Sequence, residues 1–388
     1  MTRYLVITAA IVMQMCLGGI YAWSAFVPEL REAYGYSAAQ TQLVFGTSFL
    51  VFTISGVFTG RGQDLRGPRP FGVASGVFLA AGYLVASVSG GSFLLLWLGI
   101  GVLGGLGIGC GYVCTIATAV KWFPSRKGLV SGLAVAGYGA GAIVLANGAE
   151  LLFERGWQVL EVFRAVGLVY GPVVLLAGLC LIVPASDGAA FPLTLRRREL
   201  LRDRRFWALC AAMFCGTLPG LAISGSLKPI GLFLGLTAPI AVQAISFFAI
   251  GSGTGRILWG LAGDQLGGRR MALLALALIA LSPLLLFLAG LADPEGYAFL
   301  GAALFGGFCY GSSFALYPAQ VADIYGARVV GTVYTLVMLA HGLAAEVGPG
   351  VCGLLFDETG SFLSAMVLAT VLAAAGFVLY GTLSARRR

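Results

Sequence analysis

Three ionisable side chains stand inside long apolar runs and are the first candidates for chemistry: Arg256, His341 and Glu346. An arginine within such a run costs several kcal/mol, order of magnitude, unless a partner or a cavity compensates it. No Asp or Glu shares its run before Asp264. Its partner must therefore come from another helix, from water or from a ligand. The planar guanidinium can hold a carboxylate with two parallel hydrogen bonds, so an organic anion is the expected ligand. A structural ion pair is the competing reading. His341 is the only histidine of the chain, and with a reference pKa of about 6.5 it is suited to taking up a proton. A hydrogen bond to a tyrosine is its simpler use. Glu346 lies five residues on, about 140° around a helix, and is the second candidate proton carrier. Lys228, just before Pro229, is expected to extend its amine outward to the interface. Tyr21, Tyr112, Asn147, Tyr310, Tyr317 and Tyr334 are polar or amphipathic side chains in apolar runs that are expected to complete a pocket.

The elements carrying these residues are dictated by composition. Charged residues make up 10% of the chain, hydrophobic residues 59%, and the mean hydropathy is +0.93. A soluble chain carries about a quarter charged residues, so this is a membrane protein. Twelve runs reach the ~20 apolar residues that a spanning helix needs: 4–28, 37–59, 71–90, 93–118, 126–149, 157–182, 206–230, 239–262, 271–291, 297–319, 328–352 and 360–383. The first run resembles a signal peptide, but it continues through Tyr21 to Phe26 without a convincing cleavage site and reads as a retained helix. One long basic connection, 184–205, separates the six spans of 1–183 from the six of 206–388. The fold class is thus an all-α membrane protein of two six-helix bundles. Of the 24 Lys and Arg residues, 19 fall on the side holding both termini and this linker, which the positive-inside rule assigns to the cytoplasm.

The formal net charge of +8 is spread over short loops with no aromatic-interleaved patch, which argues against nucleic acid as a partner. The eight cysteines lie in or at the ends of apolar runs and read as packing residues, not as a disulfide framework or zinc site. Gly99-Ile-Gly101-Val-Leu-Gly104 matches a dinucleotide fingerprint but lacks the preceding strand and the following acid, so it reads as small-residue helix packing, as does Gly137-x-x-x-Gly141. A nucleophile–base set and a metal cluster are both missing from the apolar runs, so an enzyme is not expected, and neither a cofactor nor an obligatory protein partner is implied.

Gly-x-x-x-Asp-x-x-Gly-x-Arg occurs at 60–69 and again at 260–269, each time between the second and third spans of a half. Its glycines permit a tight turn and close helix approach, and Asp64, Arg69, Asp264 and Arg269 read as a cytoplasmic gate. Parallel repeats of this kind belong to a transporter architecture with its substrate site between the halves near the midplane. Position 256 corresponds to Gly56 in the first copy, so the arginine is present in one half alone.

Twelve spans, a basic central loop and the duplicated motif together resemble the major facilitator superfamily over essentially the whole chain. More narrowly, Gly19-Ile-Tyr21-Ala-Trp23-Ser-Ala-Phe26 and Lys121-Trp-Phe-Pro124-Ser-Arg-Lys-Gly128 resemble bacterial oxalate/formate antiporters and their monocarboxylate transporter relatives. The resemblance implies a substrate-binding arginine in the eighth span, which Arg256 matches. Animal monocarboxylate transporters place an aspartate four residues earlier, where this chain has Ser252, so an Asp–Arg relay is absent from that helix. At the position of His341 the oxalate/formate antiporters carry a lysine, and the exchange leaves one fixed cation and one titratable group. The implied function is symport of a small monocarboxylate, such as lactate or pyruvate, with a proton, across what is expected to be the bacterial cytoplasmic (inner) membrane. An oxalate/formate-type exchanger without proton coupling is the alternative.

Overall fold

The computed structural model describes residues 2–123, 127–184, 197–326 and 329–384. Part of the Lys121–Gly128 stretch, most of the linker, and Arg328 lie outside the described residues. Every element among those described is a helix. Twelve are long and apolar enough to cross a membrane: α1 (Arg3–Tyr34), α2 (Ala38–Arg66), α3 (Arg69–Ser87), α4 (Phe93–Trp122), α5 (Val130–Glu154), α6 (Val159–Leu179), α7 (Arg204–Phe233), α8 (Ala238–Leu266), α9 (Gly268–Ala292), α10 (Tyr297–Tyr325), α11 (Val330–Thr359) and α12 (Leu363–Leu383). The chain divides into two units, Met1–Ala190 and Phe191–Arg388, holding α1–α6 and α7–α12. Large apolar side chains such as Leu281, Leu288 and Leu291 of α9 are exposed. A helix surface of this kind is stable in hydrocarbon, where every backbone group must already be paired within the helix.

The helices begin and bend for identifiable reasons. Ser37 opens α2 with a capping box: its Oγ accepts from Gln40 N at 3.1 Å, while Gln40 Oε1 accepts from Ser37 N at 2.9 Å. Asp203 caps α7 by accepting from Arg205 N at 2.8 Å, and its other oxygen accepts from Tyr325 at the end of α10. Helix α1 is interrupted by a 3₁₀ turn at Gly19–Ala22, which carries Tyr21.

The Gly99–Gly104 stretch is helical, in accord with the packing reading, but its turns are wide: Trp97–Gly104 is a π-helix inside α4. A Cβ on Gly99 would lie 2.6 Å from the carbonyl oxygen of Gly82, so α3 and α4 meet backbone to backbone there. Ser48 of α2 donates to the Ile100 carbonyl at 2.9 Å, and Trp97 Nε1 donates to Thr47 Oγ1 at 2.9 Å.

The duplicated motif differs from its expected form. Helices α2 and α8 continue through Asp64 and Asp264 to Arg66 and Leu266, so most of the motif is helix and not loop. The turn itself is Gly67–Pro68 in the first copy and Gly267 alone in the second, and both glycines (φ 78° and 94°) are in the region that favours glycine.

Candidate functional site

In the second unit, glycine sets the position of Arg256. A Cβ on Gly255 would lie 2.3 Å from the Phe308 carbonyl oxygen, and one on Gly311 would lie 2.4 Å from that of Ser252. Helices α8 and α10 therefore touch along their backbones, and the long Arg256 side chain lands on an aromatic side chain of α10. Its guanidinium carbon stands 4.7 Å from the centroid of the Phe314 ring, a cation–π contact. Arg256 is half-buried, and its Nε is buried with no hydrogen-bond partner among the described residues.

The same ring contacts the histidine. Phe314 and His341 meet edge to face, 5.2 Å apart at 86°, and Phe314 and Tyr310 do so at 5.2 Å and 73°. Tyr310 in turn lies 6.3 Å from His341 and 5.6 Å from Phe248 of α8. His341 and Tyr310 are almost completely buried, at 1% and 0% exposure. Arg256, Tyr310 and His341, three residues singled out by sequence, thus gather around Phe314, which was not. Phe314 follows Tyr310 by one helical turn on the same face, and that spacing was the available signal.

The remaining candidates of this unit are placed differently. Glu346 and Tyr334 are half-buried on α11, Tyr334 against the core formed by Leu209, Trp259, Leu316 and their neighbours. Tyr317 is buried in the core, and its hydroxyl donates to the Ala212 carbonyl of α7 at 3.1 Å. Lys228 does not extend to the interface as expected. It is 2% exposed and is among the largest fully buried side chains, because α7 carries it on an almost entirely buried stretch, Gly216–Ser226 leading into Ile230.

In the first unit, five rings form a closed chain. Tyr21 contacts Phe49 at 5.1 Å and Tyr138 at 5.7 Å; Tyr112 contacts Phe52 at 5.2 Å and Tyr138 at 5.2 Å; Phe49 and Phe52 close it at 6.2 Å. Tyr138, the fifth-span member, is a further residue that sequence reading missed. Gln14 fixes the α4 side of this set, donating to the Tyr112 carbonyl at 3.1 Å and to Thr115 Oγ1 at 2.7 Å. Asn147 is exposed and donates to Ile143 O of its own helix at 2.8 Å. The fourth and fifth helices of each half thus present a ring pair, Tyr112–Tyr138 in one and Tyr310–His341 in the other.

The motif arginines work within their own units. Arg69 Nε donates to Leu179 O at 2.7 Å, at the end of α6. Arg269 donates to Gly381 O at 3.1 Å and to Ser384 Oγ at 2.9 Å, at the end of α12. Each ties the start of a third helix to carbonyls that the sixth helix leaves without an intrahelical donor. Asp64 and Asp264 are exposed. Among the described residues no group of three His, Cys, Asp or Glu could hold a metal ion, and the eight cysteines are free thiols.

The family model of the Major Facilitator Superfamily matches residues 7–349 and 217–388. The chain is 29% identical to the oxalate:formate antiporter of Oxalobacter formigenes, over 89% of this chain and 83% of that one. It is 29% identical to monocarboxylate transporter 11 of Homo sapiens, over 91% and 76%. With apicoplast pyruvate carrier 1 of Toxoplasma gondii it shares 24% identity over 79% and 67%.

Proposed function

We propose that this chain, which belongs to the major facilitator superfamily, is a symporter that carries a small monocarboxylate of the lactate or pyruvate class together with a proton by alternating access. One observation carries the reading. A single arginine at membrane depth rests on an aromatic ring with its Nε unpartnered among the described residues, next to the only histidine.

Arg256 holds the carboxylate through its guanidinium fork, which supplies geometry as well as charge. Tyr310, Phe314 and Phe248 give the short carbon skeleton an apolar surround. His341, or Glu346 on the same helix, takes the proton, so that the loaded carrier holds no net charge from its cargo. The position that carries lysine in the resembled antiporters is histidine here, which favours a monoanion, while the buried Lys228 of α7 is the second cation that a dianion such as oxalate would need. The relatives that point to a carboxylate include a pyruvate carrier and an oxalate:formate antiporter, so exchange is the competing mode. The expected location is the bacterial cytoplasmic membrane, with the termini and the basic linker inside.

Uptake of labelled lactate, pyruvate, formate and oxalate into proteoliposomes tests the proposal. An inward proton gradient should drive accumulation of lactate or pyruvate into empty vesicles. Uptake that requires preloaded counter-anion and ignores the gradient overturns symport in favour of exchange.

A further inference from the structure

Phe314 contacts both Arg256 and His341, the two leading candidates of the second unit. Its ring lies under the guanidinium of Arg256 at 4.7 Å, and His341 and Tyr310 meet it at 5.2 Å each and near right angles. Neither ring stacks on it face to face, so the ring remains a surface for the cation. A half-buried arginine in this setting needs its charge stabilised, and two kinds of partner are available. A carboxylate would neutralise it and occupy the N–H donors of the fork. An aromatic ring attracts the cation through its quadrupole and takes no N–H donor. The structure has the second arrangement, and Nε of Arg256 stays without a hydrogen-bond partner among the described residues. One turn before Arg256 the chain has Ser252, not an acid.

We infer that Phe314 is a positioning residue for substrate binding: its ring holds the Arg256 guanidinium in the binding pose while leaving the N–H fork open for one carboxylate. The inference rests on the proposed carboxylate role of Arg256 and adds to it the reason the cation stays uncommitted. It also assigns the ring a specific electrostatic duty that packing alone does not require. Leucine at 314 fills much of the same space but has no quadrupole, whereas tyrosine keeps the ring. Fluorine substitution on the ring drains the quadrupole in steps with little change of shape.

The test is lactate and pyruvate uptake by the full chain in proteoliposomes, with Phe314 replaced by its 4-fluoro, 3,5-difluoro and 3,4,5-trifluoro forms. KM should rise step by step with fluorination, by about tenfold across the series, with kcat nearly unchanged, as loss of a partly desolvated cation–π contact requires. Phe314→Tyr should transport with a near-native KM, and Phe314→Leu should match the trifluoro form. In an Arg256→Lys background the fluorine dependence should shrink. A KM indifferent to fluorination, while Arg256→Ala abolishes uptake, overturns the positioning role and leaves the arginine's role standing. Uptake that survives Arg256→Ala, or absence of uptake of either acid by the unmodified chain, overturns the carboxylate reading itself and the inference with it.

Discussion

Arg256 is where the chemistry of this chain is most concentrated. Lysine at 256 would keep the charge and lose the two-pronged fork. Arg256→Lys is expected to raise the KM for lactate or pyruvate by roughly tenfold to a hundredfold, as for loss of a charge-assisted hydrogen bond worth about 1.5–3 kcal/mol. Normal transport by this variant would rule out bidentate binding. His341→Gln keeps a hydrogen-bonding side chain and removes the titration. If the histidine carries the proton, the variant loses accumulation driven by a proton gradient but keeps exchange of labelled for unlabelled substrate. Retention of gradient-driven accumulation would transfer the proton to Glu346. Fluorination at Phe314 completes the residue-scale tests. At this scale the sequence was most legible where a residue violates its surroundings. An arginine and a single histidine stand out from any apolar run, whereas Phe314 and Tyr138 are apolar or amphipathic residues in apolar surroundings and carry no such flag.

At the scale of elements, the position of Arg256 depends on how closely α8 and α10 approach. Gly311 faces the Ser252 carbonyl at a distance no Cβ tolerates. Gly311→Val must push the helices apart, and overpacking of this kind costs about 1–3 kcal/mol. A lower unfolding temperature in detergent is expected, together with reduced uptake, because the guanidinium moves off the Phe314 ring. An unchanged melting temperature would show that the contact is not limiting. The turn between α9 and α10 offers a pH test. Asp293 accepts from Ala298 N at 2.8 Å and Glu295 N at 3.0 Å, and these backbone donors hold its carboxyl below the ordinary range. A depressed carboxyl contributes stability above its unfolded pKa and loses it as pH falls through the folded value. Asp293→Asn should therefore be less stable than the parent at neutral pH, with the gap closing in acid. A gap independent of pH would place the effect elsewhere. The number of spans was readable from apolar run length. Their ends were not, since α2 and α8 continue past the apolar run through the duplicated motif, where helical hydrogen bonding goes on after hydrophobicity has stopped. The wide turns of α4 were equally invisible, because Gly99–Gly104 looks the same in α and π windings.

For the molecule as a whole, the charge moved per cycle separates the two transport modes. One monocarboxylate with one proton moves no net charge, so initial uptake should not respond to a potassium–valinomycin potential. Exchange of a dianion for a monoanion moves one charge and would respond. A strong response to potential therefore excludes the one-to-one symport proposed here. What the sequence determined by itself was the solvent, the number of spans, the duplication and the presence of an arginine in one copy alone, because each is a local property of composition or spacing. Tertiary structure decided what surrounds that arginine. The Phe314 ring reaches it from α10 and gathers Tyr310 and His341 of α10 and α11, dozens of residues away, and Lys228 turns out buried where outward reach was expected. The physical reason is that composition and period report how each helix meets its solvent. Which rings meet across helices depends on backbone approach at small residues such as Gly255 and Gly311, and that follows only from the packed whole.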